Sequence, residues 1–188
     1  MSWVALSLCG SVVGALVNTT VRQTITIQEN GSASVDAEVL FENGAGTDPP
    51  SVLLGRPIGG LPVGTFAADV TLYLPKNAQD IAAETSRPSP IRVAQDLGLA
   101  TVTGSIAVRG GESTTLTVTY LVPDAVRTVD GAEELALRVT PQPTLVGVRF
   151  QIRVALPDGS TIVSAIWSGA TISILILDAA SSIRSIAL

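Results

Sequence analysis

The chain contains no histidine and a single cysteine, Cys9. Without an imidazole, neither a Ser-His-Asp nor a Cys-His catalytic set can form, and the commonest side-chain ligand of transition metals is missing. One thiol cannot close an internal disulfide, so stability has to come from the core. Lysine is reduced to Lys76 against ten arginines, and no Ser-x-x-Lys arrangement leads into it, which removes the Ser-Lys route to a nucleophile. Charge is scarce as well: 14% of the residues are Asp, Glu, Lys or Arg, against a globular norm of about 25%. The net charge of −5 argues against a nucleic-acid footprint. Low charge with 46% hydrophobic residues excludes intrinsic disorder. A chain of 188 residues is long enough for a self-sufficient core.

What the sequence does hold is a two-residue rhythm. Val21, Gln23, Ile25 and Ile27 alternate with Arg22, Thr24, Thr26 and Gln28, and Val35, Ala37 and Val39 alternate with Asp36, Glu38 and Leu40. Between these runs stands Asn30-Gly31, a strong hairpin signal. The pattern resumes at 65–74, 81–85, 91–95, 99–108 and 114–122, then at 135–140, 146–156, 161–167 and 171–177. Turn chemistry separates them: Pro75-Lys76-Asn77, Pro88-Ser89-Pro90, Asp96-Leu97-Gly98, Gly110-Gly111 and Pro157-Asp158-Gly159. In the run at 114–122, Leu116, Val118 and Tyr120 share one face and Thr115, Thr117 and Thr119 the other. No 3.6-residue period of helical length occurs; only 124–127 and 178–184 are short helix candidates. The expected fold is all-β, an immunoglobulin-like antiparallel β-sandwich built as two packed modules. The expected units are an apolar segment at 1–17, a β-sandwich module at 18–123 and a smaller β module at 124–188.

Two stretches bear on membranes. Residues 1–21 carry no charged side chain and suit either a pair of strands, at 3–8 and 12–17, or a residual signal or anchor. Residues 159–177 are uncharged and long enough to span a bilayer, but Ser160, Ser164, Ser168 and Ser173 interrupt the run, and Ile172, Ile174 and Ile176 fall on a strand beat.

Residues 43–64 differ in texture, with a glycine or proline at nearly every second position, and predict an extended excursion with a short strand at 51–54. Its apolar and basic side chains, Leu54, Arg56, Ile58 and Leu61, form the candidate contact loop. The carboxylate pairs Asp36/Glu38 and Glu133/Glu134 occupy ordinary solvated strand positions rather than an acid-base site. Asp124, Asp130, Glu133 and Glu134 crowd one junction without the spacing of a calcium loop. No catalytic residue, cofactor or metal is assigned. Trp3, Phe41, Phe66 and Phe150 fall on predicted core faces, and Trp167 reads as a core plug. Tyr73 and Tyr120 are the aromatics available to a ligand-binding surface.

Several runs, taken in order, resemble the C-terminal β-rich portion of bacterial, mainly actinobacterial, envelope proteins grouped as domain of unknown function 4012. They are Val21-Arg-Gln-Thr-Ile-Thr-Ile with Asn30-Gly31, Val70-Thr-Leu-Tyr-Leu-Pro-Lys-Asn-Ala78, Gly110-Gly-Glu-Ser-Thr-Thr-Leu-Thr-Val-Thr-Tyr-Leu-Val-Pro-Asp124, Thr140-Pro-Gln-Pro143 and Val154-Ala-Leu-Pro-Asp-Gly159. More loosely, Gly-Glu-Ser followed by Thr-Val-Thr-Tyr is similar to immunoglobulin-like surface modules. The resemblance implies an exported, surface-associated protein and transfers no catalytic residue. The expected function is a non-enzymatic structural or interaction module of the bacterial envelope, extracellular or surface-bound. The alternatives are a carbohydrate- or ligand-binding β-sandwich and an accessory domain of a larger envelope enzyme. Expected partners are protein or cell-wall glycan, with no nucleic acid, a membrane tether at or outside the N-terminus, and self-association through sheet edges.

Overall fold

The computed structural model describes residues 2–9, 17–44, 64–129, 132–140, 148–168, 171–178 and 184–187. No helix occurs among them. The strands are β1 (Ser2–Cys9), β2 (Val17–Ile27), β3 (Ala33–Asn43), β4 (Phe66–Tyr73), β5 (Gln79–Thr85), β6 (Ile91–Asp96) and β7 (Leu99–Val108). They continue with β8 (Ser113–Val122), β9 (Val126–Val129), β10 (Ala132–Thr140), β11 (Val148–Ala155), β12 (Ser160–Ser168), β13 (Thr171–Asp178) and β14 (Arg184–Ala187).

The alternation in the sequence is the alternation in the structure. Val21, Gln23, Ile25 and Ile27 of β2 are buried while Arg22, Thr24 and Thr26 are exposed, and β3 buries Val35, Ala37, Val39 and Phe41 in the same way. Successive side chains of a strand point to opposite faces, so such a strand can satisfy one dry and one wet surface. The β2–β3 hairpin forms in register from Val17↔Asn43 to Ile27↔Ala33. Its Asn-Gly pair does not make a two-residue loop. Gln28 N–H donates to Ser32 O (2.9 Å) and Gly31 N–H to Gln28 O (2.9 Å), with Gly31 at φ 77°. That is a three-residue loop ending on a left-handed glycine, locked by the Ser32 N–H bond to Asn30 Oδ1 (3.0 Å).

Two kinds of turn recur, although the glycine turn at Gly110-Gly111 also changes sheets, from β7 to β8. Turns rich in glycine, at 29–31 and at Leu97-Gly98, return the chain to the same sheet. Turns that open on proline change sheets. Leu74-Pro75 follows β4 and leads to β5, Val122-Pro123 follows β8 and leads to β9, and Leu156-Pro157 follows β11 and leads to β12. In each case the two flanking strands belong to different sheets. A proline has no N–H for the ladder, so pairing ends there and the chain is free to leave the sheet.

The result is one eight-stranded sheet in the order β12-β13-β10-β1-β4-β7-β6, with β9 paired to β10, and one six-stranded sheet in the order β14-β11-β2-β3-β8-β5. Among the described residues, neither closes into a barrel. The expectation of purely antiparallel sheets is corrected at two places. β1 runs parallel to β10 from Ser2↔Leu137 to Ala5↔Thr140, and β2 runs parallel to β11 from Val148↔Thr19 to Ala155↔Thr26. Parallel partners need a long crossover, and here the crossover is the whole intervening chain. The consecutive pair β10–β11 thus lies beside the consecutive pair β1–β2, one strand in each sheet.

Other expectations also change. The short helix candidate at 124–127 gives way to β9, whose Val126 N–H reaches Gly31 O (3.2 Å). Of the 178–184 candidate, Asp178 closes β13 and Arg184 opens β14, and 179–183 lie outside the described residues. The uncharged stretch at 159–177 forms the β12–β13 hairpin, and no helix among the described residues is long and apolar enough to cross a membrane. At the N-terminus, 3–8 lies within β1 as a strand, while 12–16 and the expected strand at 51–54 fall outside the described residues.

Both sheets contribute to one buried cluster. It takes Val70, Leu72, Val102, Ile106, Val108, Leu135 and Leu137 from the larger sheet and Ile25, Val35, Val39, Phe41, Leu116, Val118, Ile152 and Val154 from the smaller. The sheets therefore face each other across a shared interior. Phe41 of β3 stacks on Phe66 of β4 at 6.1 Å between centroids. At Gly104 of β7 a Cβ would stand 3.4 Å from Leu116 Cδ1, on the opposite sheet. We expect Gly104→Ala to be nearly neutral and Gly104→Leu to destabilise by about 1–3 kcal/mol through overpacking. Phe41→Ala, which empties a fully buried position, should cost about 3–5 kcal/mol. Urea unfolding followed by circular dichroism measures all three.

Candidate functional site

Among the described residues the larger sheet ends on β12 at one side and on β6 at the other, and β6 is the edge that carries exposed apolar side chains. It is short because Pro88 and Pro90 precede it and a two-residue turn follows it. That turn places Leu97 at φ 50° and Gly98 at φ 76°. Both central residues at positive φ make a type I′ turn, which suits the twist of the flanking strands. Glycine adopts this backbone freely, but leucine does so at a cost of about 1–2 kcal/mol. Leu97 is also 89% exposed, so it meets neither a conformational nor a burial preference. Val93, in the middle of β6, is 52% exposed although it pairs with the fully buried Val102 and so lies on the core side of the sheet. Among the described residues only Val129 joins them as an exposed large hydrophobic. Two of three therefore sit on one edge and its turn.

The outer face behind this edge is polar. Tyr73 of β4 donates its hydroxyl proton to Asp96 Oδ2 (2.7 Å), spanning β7. Thr71 Oγ1 and Thr103 Oγ1 lie 2.9 Å apart, and Ser105 Oγ donates to Asp69 Oδ1 (2.7 Å). Arg92 stands in register with Thr103 on the same face and makes no ion pair among the described residues. Each carboxylate of this face thus accepts from a neighbouring hydroxyl. The arrangement offers apolar contact, hydrogen bonds and backbone pairing; it is suited to holding a partner.

Tyr120 does not belong to an exposed surface. It faces the core beside Leu116 and Val118, 3% exposed, and its hydroxyl accepts from Gln23 Nε2 (3.2 Å). The β3 position between Gln23 and Val118 is Ala37, whose small side chain leaves room for this contact. Burial drives the Tyr120 phenol well above its usual pKa, and the Gln23 hydrogen bond offsets part of that. The polar pair was foreshadowed by Gln23 breaking an otherwise apolar face. Tyr120 is therefore not available to a ligand-binding surface, because the alternation of β8 sets it inward with Leu116 and Val118.

The contact loop expected at Leu54, Arg56, Ile58 and Leu61 lies outside the described residues. Its stems are described. Asn43 Nδ2 donates to Gly64 O (2.8 Å) and to Val108 O (3.0 Å), joining the residue before the excursion to the one after it. Phe41 and Phe66 pack in the core, Phe150 is partly buried against it, and the side chains of Trp3 and Trp167 are outside the described set. Around the acidic junction, Glu134 accepts from Arg127 (2.6 Å) and Asp130 is not described. Among the described residues no three His, Cys, Asp or Glu side chains gather to hold a metal ion. Sequence reasoning missed the β6 edge. Its signals were a leucine in the loop position Asp96-Leu97-Gly98 and two prolines limiting a six-residue strand.

No family model matches the chain, and no curated protein matches it. Solved structures do. A candidate nutrient-binding protein from Legionella pneumophila aligns at 11% identity and TM-score 0.52 over 93% of this chain and 68% of that one. A yeast leukotriene A4 hydrolase in complex with bestatin aligns at 9% identity and TM-score 0.46 over 85% of this chain. A two-domain M1 zinc metallopeptidase aligns at 12% identity and TM-score 0.40 over 88%. The chain spans 26% and 40% of those last two proteins' lengths. The first similarity is one of fold.

The two tyrosines of the chain give a direct optical test. The Asp96 hydrogen bond, helped by partial desolvation and the nearby carboxylate charge, raises the Tyr73 pKa above 10. Absorbance at 295 nm should therefore show no phenol ionising at its ordinary pH in the native protein, and Asp96→Asn should lower the Tyr73 step. Tyr120 keeps its proton in the folded state after the unfolded chain has lost it. Stability is therefore constant below pH 10 from this group and falls as pH rises beyond it. Alkaline unfolding of Tyr120→Phe should lose that part of the pH dependence.

Proposed function

We propose that the protein is a non-enzymatic structural and interaction module of the bacterial envelope, which engages a protein partner through the β6 edge. The observation that carries the reading is the pair Val93 and Leu97: large apolar side chains left exposed on a strand, and on the turn that follows it, whose backbone is unpaired on one side among the described residues. An open edge supplies main-chain hydrogen bonds to an added strand, and alternate side chains supply selectivity. The facing sheets, the sheet-changing turns and the frequent return of the chain between layers support an immunoglobulin-like sandwich as the scaffold. The resemblance of the runs at 21–31, 70–78, 110–124 and 154–159 to envelope proteins supports the cellular setting.

A second reading is favoured by the outer face of the same three strands. Tyr73, Thr71, Thr103, Arg92 and the carboxylates Asp69 and Asp96 form a hydrogen-bonding surface with one aromatic ring, the composition a cell-wall glycan would require.

One pair of measurements separates them. A photocrosslinking residue at Val93 or Leu97, in the native bacterium, should give discrete protein adducts, and one at Thr119 on the far sheet's outer face should give none. Adducts from Thr119 alone, or from no position, would sink the edge reading. Saturable binding on a glycan array, lost in Tyr73→Ala, would instead establish the glycan reading.

A further inference from the structure

We infer that the partner taken by the β6 edge is a second copy of this chain, paired antiparallel about a two-fold axis through Ala94. The inference rests on the edge reading above and adds the partner and the register.

The backbone sets which groups are available. Ser105 N–H donates to Pro90 O (3.1 Å), so the Pro90 carbonyl points toward β7. Backbone groups alternate sides along an antiparallel strand. Arg92, Ala94 and Asp96, opposite Thr103, Thr101 and Leu99, therefore exchange their bonds with β7. Ile91, Val93 and Gln95 then project their N–H and C=O groups from the free edge. A partner strand must present groups with the same alternation, and a second β6 does.

Side-chain chemistry selects the register. With Ala94 on the axis, Val93 of one copy exchanges two hydrogen bonds with Gln95 of the other, and the symmetric pair does the same. Arg92 then falls opposite the second copy's Asp96. These are non-hydrogen-bonded positions, where Cα atoms approach to about 4.5 Å and side chains are nearest. Both residues lie on the outer face, Arg92 beside Thr103 and Asp96 within reach of Tyr73. The axis repeats the contact, so the interface gains two reciprocal Arg–Asp pairs. Asp96 has a second carboxylate oxygen for the incoming guanidinium, because Tyr73 occupies Oδ2. On the core side, the two Val93 side chains become diagonal neighbours and cover each other. Leu97, just past the ladder, comes level with the second copy's Ile91. Shifting the axis by one residue, to Val93, sets Arg92 against Ala94 and Asp96 against Pro90, and both charge pairs are lost. Pro88 and Pro90 stop the ladder from lengthening, and the two-fold axis, which uses the same edge on both copies, closes the assembly as a dimer.

Such a short ladder buries an area at the small end of specific interfaces, below about 1,200 Å², so association should be reversible and concentration-dependent. Sedimentation velocity of the full chain over about 5 to 500 µM should show a monomer–dimer shift. Arg92→Asp and Asp96→Arg should each move the midpoint about tenfold higher. The double variant Arg92→Asp/Asp96→Arg, which rebuilds both pairs with reversed polarity, should return it toward the original. Val93→Pro removes an N–H that β7 does not use and should abolish the dimer, while circular dichroism confirms that it is folded. A chain that stays monomeric throughout overturns the proposal, as does a dimer indifferent to the single variants or not restored by the double one. If the chain is monomeric yet Val93 crosslinks to a different protein, self-pairing fails while the edge reading stands.

Discussion

The structure depends on one requirement, that two sheets bury the same interior between them. Among the described residues the buried side chains gather in a single cluster between the sheets, so each strand that contributes keeps one face apolar and meets its counterpart across the gap. This explains why the alternation is cleanest in β2, β3 and β8, which lie at the centre of the smaller sheet, and loosens in β5 and β6, which lie at its edge and at the edge of its partner. It also explains the economy of Gly104. Across from Leu116 the chain gives up a side chain, and the leucine fills the space beside it.

The same requirement gives the prolines their meaning. A chain that must supply both layers has to leave a sheet as often as it returns to it, and leaving is a matter of ending the ladder cleanly. Leu74-Pro75, Val122-Pro123 and Leu156-Pro157 share one device: a last inward hydrophobic residue, then a residue that cannot donate. In-plane returns use left-handed positions at Gly31 and at Leu97-Gly98, and sheet-changing turns also use them, at Gly111, Asp124 and Gly159.

Most of the strand pattern was legible because a two-residue period is a local property. Val21 to Ile27 and Val35 to Phe41 announce their inward faces without help from the rest of the chain. The parallel neighbours β1–β10 and β2–β11 were not legible, because nothing in a strand's own residues names a partner more than a hundred positions away. β9 was mistaken for a helical turn since four residues carry too little periodicity to decide. The candidate site was less visible still. Val93 follows the inward alternation of its strand, and its exposure arises because β6 ends its sheet, a fact of topology. Leu97 could have been noticed, since a leucine between Asp96 and Gly98 in a two-residue loop has nowhere to be buried. Tyr120 shows the opposite case, an aromatic whose polar end invites a surface role while its neighbours Leu116 and Val118 hold it inside.

The parallel seam has a consequence for synthesis. A ribosome delivers β2 and β3 soon after β1, and their hairpin can close at once from residues in hand. One flank of β2 then stays vacant until β11, whose first pairing position is Val148 against Thr19, has been translated. The nascent chain must carry an unfinished sheet through most of its elongation. An early-folding hairpin is thereby joined to a late-arriving strand, and a ribosome stalled before Val148 would leave one side of β2 bare.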